Sequence, residues 1–217
     1  MSGPITKTVH TAALAFVLAG LPMPAPAEPS TCSYTTYKWN VVQRKAVEYR
    51  RVSHPYDRVT DIERDEATGC TVCEQDQVDI ALPGIKSFKM CRQLAGPVEV
   101  ALGELLAQGQ PIYKVIAYRV GMTRGDIDAG GNRTRFSNHS FGIALDINDE
   151  QNGLYDHCIR FGPQCRLIQG GRWSPSRAGS WTADSQVVHS MQSLGFKWGG
   201  QIEGKQKDFM HFSPTGY

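Results

Sequence analysis

An α+β domain is what this sequence predicts, and three observations predict it. Two segments carry helical periodicity, four short strand-like runs fall between and after them at unequal spacing, and no internal repeat appears. The elements follow in chain order.

Residues 1–27 read as a secretory signal. MSGPITKTVH carries one cation, Lys7, and the apolar run TAALAFVLAGL is shorter than the about 20 residues a membrane span needs. PMPAPA then breaks the run and supplies small residues for cleavage after Ala27. The expectation is an exported protein without membrane insertion. With 23 Lys and Arg against 21 Asp and Glu, the net charge of +2 offers none of the basic footprint of a nucleic-acid binder.

Residues 28–95 form a polar, cysteine-containing N-terminal extension, and residues 96–217 the main domain. All six cysteines, Cys32, Cys70, Cys73, Cys91, Cys158 and Cys165, lie after the signal. An even count in an exported chain reads as disulfides. Cys158 and Cys165 flank a short loop and make a plausible local pair; the other pairings stay open. Cys70-Thr-Val-Cys73 has a redox or zinc-knuckle spacing, but with no second such motif the structural reading is preferred.

In the main domain, Pro97 suits a first helical turn. Val98, Leu102, Leu105 and Leu106 then share one side of a helix that stops at Gly109. PIYKVIAYRVG reads as a strand, and a glycine-rich charged loop leads on to Ser137. Gly142 to Asn148 reads as a second strand with Ile143, Leu145 and Ile147 on one face and Gly142, Ala144 and Asp146 on the other. Residues 149–181 read as a long loop, of the kind that is functional or stapled. Thr182 is a candidate N-cap for a helix ending at Gly195, and FKWGG and DFMHFSP close the chain as short strands.

The stretch SNHSFGIALD carries the chemistry. His139 at a polar turn and Asp146 in mid-strand are metal-ligand types, and a buried carboxylate needs a partner. His211 supplies a second imidazole, completing the three protein ligands of a catalytic zinc with one open position. Asp208 lies three residues before His211, so a regular strand would put the two on opposite faces; a bend between them is expected.

Ser137-x-His139-x-x-Gly142-x-Ala144-x-Asp146, followed by Asp208-x-x-His211, resembles the zinc D-alanyl-D-alanine carboxypeptidase (VanY-like) family. That family belongs to the group that includes lysostaphin, the D-Ala-D-Ala metallopeptidases and the hedgehog amino-terminal domain. Ala117-Tyr118-Arg119 and Gly195-Phe196-Lys197-Trp198-Gly199-Gly200 add to the likeness, which covers about residues 96–213. It implies a small antiparallel central sheet with helices on one face and a zinc cleft on the other. It implies zinc on His139, Asp146 and His211, Asp208 as catalytic carboxylate, and Arg119 holding or polarising substrate. Ser137, Tyr118 and Trp198 are the candidate substrate contacts, with packing as the competing role for the two aromatics.

The implied partner is a bacterial peptidoglycan stem peptide, met in the periplasm or cell-wall space. Asp208 stands where D-Ala-D-Ala enzymes of the family usually carry Glu, and Met210 where they carry Trp. That leans the expectation to an L-Ala-D-Glu endopeptidase, with a D-Ala-D-Ala carboxypeptidase as the alternative. A non-catalytic zinc-containing binding module is the reading from another class. Arg124-Gly125-Asp126, an adhesion tripeptide, reads as a chance match.

Overall fold

The computed structural model describes Gly3 and residues 29–217, so the expected signal peptide lies outside the described residues apart from Gly3. Thirteen strands and two helices are present among them, a mixed α+β architecture as the sequence predicts. Strand β1 (Thr31–Asn40) pairs antiparallel with β2 (Lys45–Pro55), and β3 (Gln77–Leu82) with β4 (Ile85–Cys91). Helix α1 (Arg92–Ala107) follows, then β5 (Val115–Ile116), β6 (Met122–Ile127), β7 (Arg133–Phe136), β8 (Leu145–Ile147), β9 (Leu154–Asp156) and β10 (Arg166–Gln169). Helix α2 (Gln186–Ser193), β11 (Lys197–Trp198), β12 (Lys207–Asp208) and β13 (His211–Ser213) complete the order.

The sheet that matters most has the order β11-β13-β8-β5, all antiparallel. Leu145, Ile147 and Phe212 turn from it into the main core, where they meet Val98, Leu102 and Leu105 of α1 and Val187, Val188 and Met191 of α2. Of the expected stripe, Val98, Leu102 and Leu105 are buried, and Leu106 is partly buried against the same core.

Helix α1 begins at Arg92, earlier than Pro97 suggests, with Pro97 inside it. Pro97 denies a donor to the carbonyl of Gln93, but both residues face solvent, where water can take its place. The residue before the helix is Cys91, which a disulfide ties to Cys70. Helix α2 likewise starts later than expected: Ser185 is its N-cap, and Thr182–Ser185 closes as a turn. Gly195, at φ +87°, ends it as expected.

The two long strands expected around the site are shorter in fact. Only Val115–Ile116 and Leu145–Ile147 find ladder partners. Residues Asn138–Phe141 wind into a 3-10 turn, and Gly142, at φ +67°, reverses the chain into β8. A Cβ on Gly142 would lie 2.0 Å from Oε1 of Gln77 and 2.6 Å from the main-chain nitrogen of Cys91. The glycine is thus demanded twice, by its backbone conformation and by the close approach of the N-terminal segment.

That segment is built into the rest. Strand β1 joins β6 and β7 in one sheet, order β2-β1-β6-β7. Cys32, Tyr34, Val72, Cys73 and Cys91 share a second core with Val120, Met122, Phe136, Phe141 and Ile143. Two disulfides, Cys32–Cys73 and Cys70–Cys91, lie inside it, so the CxxC cysteines bond outward and not to each other.

Residues 149–181 are not one structureless loop. Strands β9 and β10 form a hairpin closed by the expected Cys158–Cys165 disulfide, and β12 adds to it in the order β10-β9-β12. The strands are only three and four residues long, too short to show a period in the sequence.

Candidate metal centre

Strand β8 is flanked by β13 and β5, and the register sets Asp146 directly opposite His211 on one side and Ile116 on the other. With Leu145 and Ile147 in the core, alternation sends Asp146 to the opposite face. The 3-10 turn before β8 delivers His139 to the same place. All three side chains are buried.

Three atoms converge there. Nε2 of His139 is 3.1 Å from Oδ1 of Asp146 and 3.2 Å from Nδ1 of His211, and the last two are 3.0 Å apart. Nδ1 of His139 lies 2.7 Å from the Ala117 carbonyl. A carbonyl only accepts, so that nitrogen carries the ring proton, and Nε2 of the neutral ring turns a lone pair toward Asp146 and His211. Lone pairs brought together around a carboxylate call for a cation between them. Tetrahedral zinc with bonds of about 2.0–2.1 Å separates its ligand atoms by about 3.3 Å. The observed triangle fits that size with little adjustment, and His139, Asp146 and His211 form a group able to hold a metal ion.

The surroundings suit the same role. The Ala117 carbonyl fixes the ring of His139, and Nη2 of Arg119 bonds Oδ2 of Asp146 at 2.8 Å, the outer partners that orient metal ligands. Burial would raise the Asp146 pKa, but the two imidazoles outweigh it and hold the carboxyl well below its usual range. Burial lowers His139, leaving it neutral and able to coordinate. For His211 burial acts downward too, yet the hydrogen bond and charge of Asp146 raise it above the ordinary value.

The bend expected between Asp208 and His211 is present. Asp208 ends β12, Phe209 and Met210 turn, and His211 opens β13, so the two residues belong to different sheets. Burial pushes the Asp208 carboxyl up to about 6, against the opposing charge of His211. Its Oδ1 and the Nε2 of His211 are both buried without a hydrogen-bond partner, a costly condition that a water or substrate atom would relieve.

The residues expected to contact substrate each have a partner within the fold. The Tyr118 hydroxyl donates to the Val72 carbonyl at 2.7 Å, tying it to the N-terminal segment. Trp198 is buried and donates its indole N–H to the Phe209 carbonyl at 2.8 Å. Ser137 is buried beside Ser140, with 3.3 Å between their hydroxyl oxygens. Arg119 reaches a metal-ligand candidate, where a substrate contact was expected of it. Sequence reasoning missed Trp173, whose ring stacks on Phe209 beside Asp208; a lone tryptophan in a Gly- and Pro-rich stretch gives no signal for such a partner.

Residues 130–214 match the family model described as D-alanyl-D-alanine carboxypeptidase. The matched segment holds His139, Asp146, Asp208 and His211, and begins after Tyr118 and Arg119. No curated protein and no solved structure matches the chain.

Proposed function

We propose, from the premise that the chain belongs to the D-alanyl-D-alanine carboxypeptidase (VanY-like) family and is a metallopeptidase, that it cleaves peptidoglycan stem peptides with a zinc ion held by His139, Asp146 and His211. The observation that carries this reading is the convergence of three buried ligand atoms, two of whose residues, His211 and Asp146, act by their charge on the partnerless carboxylate of Asp208. A zinc ion bound there would supply Lewis acidity, activating water and polarising the scissile carbonyl.

The chain's own residues do the rest. Asp208, its pKa raised to about 6, accepts a proton from the attacking water and returns it to the departing amine. Arg119 holds Asp146 in its ligating orientation and keeps the charge of that carboxylate in place. The Ala117 carbonyl fixes the tautomer of His139.

Removal of a terminal D-Ala is the first reading of the bond cleaved, because the matched model is a carboxypeptidase one. Arg124 suits it. Desolvation pulls that guanidinium down while the charge of Asp208 acts upward on it, and its cation lies over the Tyr217 ring at 5.9 Å, which leaves its N–H donors without a carboxylate among the described residues. It is therefore available to a terminal carboxylate. Scission between L-Ala and D-Glu is the second reading, favoured by an aspartate at position 208. Export to the periplasm or cell-wall space is supported by three disulfides. No helix among the described residues is long and apolar enough to cross a membrane.

The test is mass spectrometry of defined muropeptides after incubation with the zinc-loaded protein, with His211→Ala alongside. Loss of a terminal D-Ala establishes a carboxypeptidase, and scission after L-Ala an endopeptidase. Zinc should be near one per chain in the parent and absent from the variant. Failure of folded, zinc-bound protein to cleave any stem peptide would overturn the reading and favour a binding module.

A further inference from the structure

We infer that Trp173 is a positioning residue for proton transfer at Asp208, an inference that rests on the reading of Asp208 as the base. Asp208 ends a strand of two residues, and so short an element has little rigidity of its own. Something outside it must hold the carboxylate at the reacting atoms.

The main chain of Gly199 backs Asp208 on one side. A Cβ at position 199 would lie 2.3 Å from the Asp208 carbonyl oxygen and 3.0 Å from its Cβ. The β9–β10 hairpin holds it on the other. Lys207 and Asp208 pair with Tyr155 and Leu154, the Cys158 amide donates to the Lys205 carbonyl at 2.8 Å, and the Phe209 amide to the Gly153 carbonyl at 3.2 Å.

The residue after Asp208 is then clamped through its side chain. The rings of Phe209 and Trp173 stack with centroids 4.2 Å apart and 11° between planes. Tyr155 and Trp198 meet Phe209 edge-on. Trp173 is itself pinned at two points, its indole N–H to the Trp181 carbonyl and its amide to the Tyr155 hydroxyl, both at 2.7 Å. Its hydrogen bonds stay within residues 149–181, and none goes to His139, Asp146 or His211.

Loss of the indole therefore frees Phe209, and with it Asp208, while the ligand triangle on the core sheet stays as it is. A displacement of about 1 Å at a reacting group costs on the order of 10²-fold in rate. The signature of positioning is a fall in kcat of about 10- to 100-fold, with KM within about twofold and zinc content unchanged.

The experiment measures kcat, KM and zinc per chain for the full zinc-loaded protein, Trp173→Leu and Trp173→Phe, on a muropeptide that the parent cleaves. Trp173→Leu should show that signature, and Trp173→Phe, which keeps a flat ring against Phe209, should recover kcat to within about threefold of the parent. Should Trp173→Leu fail to fold, Phe209→Leu removes the other half of the stack and is read the same way. A folded variant with kcat within about twofold of the parent overturns the inference. So does a rise in KM at constant kcat, which would make Trp173 a substrate contact, or a loss of zinc, which would make it a support of the ligands. A parent protein inactive on every stem peptide is a different result: it removes the proposed function and this inference with it.

Discussion

His139, Asp146 and His211 are held on or beside a sheet whose reverse face is packed by both helices, whereas Asp208 ends a two-residue strand of a separate sheet whose outer strand is exposed throughout. The first arrangement derives its rigidity from core burial, with Leu145, Ile147 and Phe212 fully inaccessible to solvent. The second reaches the same core only through side chains next to it, Tyr155 and Phe209, and adds a disulfide, a stack of aromatic rings and a few main-chain bonds. On the proposed roles, metal holding and proton transfer therefore lean on different local supports, and substitutions should separate them.

The sharpest separation comes from Asp208→Ala. Because Asp208 is no part of the ligand triangle, zinc content and melting temperature should stay close to those of the parent while kcat falls about 10²- to 10⁴-fold. Metal analysis beside steady-state kinetics checks this. Zinc loss in the variant would show that Asp208 supports the ligands, and the contrast would collapse.

Gly142→Ala strikes the opposite wall. The added Cβ would have to displace Gln77 and the main chain at Cys91, from a backbone with φ +67°. A loss of stability of about 3 kcal/mol or more is expected, with the ligand turn disturbed and zinc binding weakened together. Calorimetry and zinc titration check it. A near-normal melting temperature would mean that the N-terminal segment yields easily and does not brace the site.

The same contrast explains what was legible in the sequence. The convergence of His139 and Asp146 could be read because residue type, the period of two in β8 and the glycine at the turn all leave marks in one short stretch. The bend after Asp208 could be read because three residues cannot keep two side chains on one face of a strand. The start of α1 could not, because Pro97 imitates a first turn, while the helix runs on from Cys91 with Pro97 inside it. Strands β9 and β10 left no trace, since Arg166–Gln169 is exposed at every position and carries no alternation of burial. Arg119 was visible as a motif residue, but its partner was not. A carboxylate 27 positions away is brought to it only by folding.

Arg119→Ala sharpens the comparison at a third point. It frees Oδ2 of Asp146 without touching a ligand atom, so zinc affinity should fall about 10- to 100-fold while the fold is kept. Competition with a chelator measures this. Unchanged affinity with a raised KM would return Arg119 to the substrate-binding role that its motif implies.

The smallest effect is expected outside the candidate site, at another buried carboxylate. Glu63 is 6% exposed, and its oxygens accept from the Tyr34 hydroxyl at 2.5 Å, from the amide and hydroxyl of Thr60 at 2.9 and 2.7 Å, and from His54 at 3.0 Å. Burial alone would raise its pKa, but those bonds outweigh it and hold it at about 2, against 4.5 in the absence of such partners. The folded value lies below the unfolded one, so the stabilisation is complete above pH 4.5 and is lost as the pH falls toward 2. Allowing for solvent screening, it amounts to about 2 kcal/mol. Glu63→Gln should lower stability by about that much at pH 7 and flatten its decline between pH 4.5 and 2, without altering zinc content. Denaturant titrations at pH 7, 4.5 and 3 test it. Parallel curves for parent and variant would mean that Glu63 keeps an ordinary pKa in the folded chain, and that the disulfides bear the second core without its help.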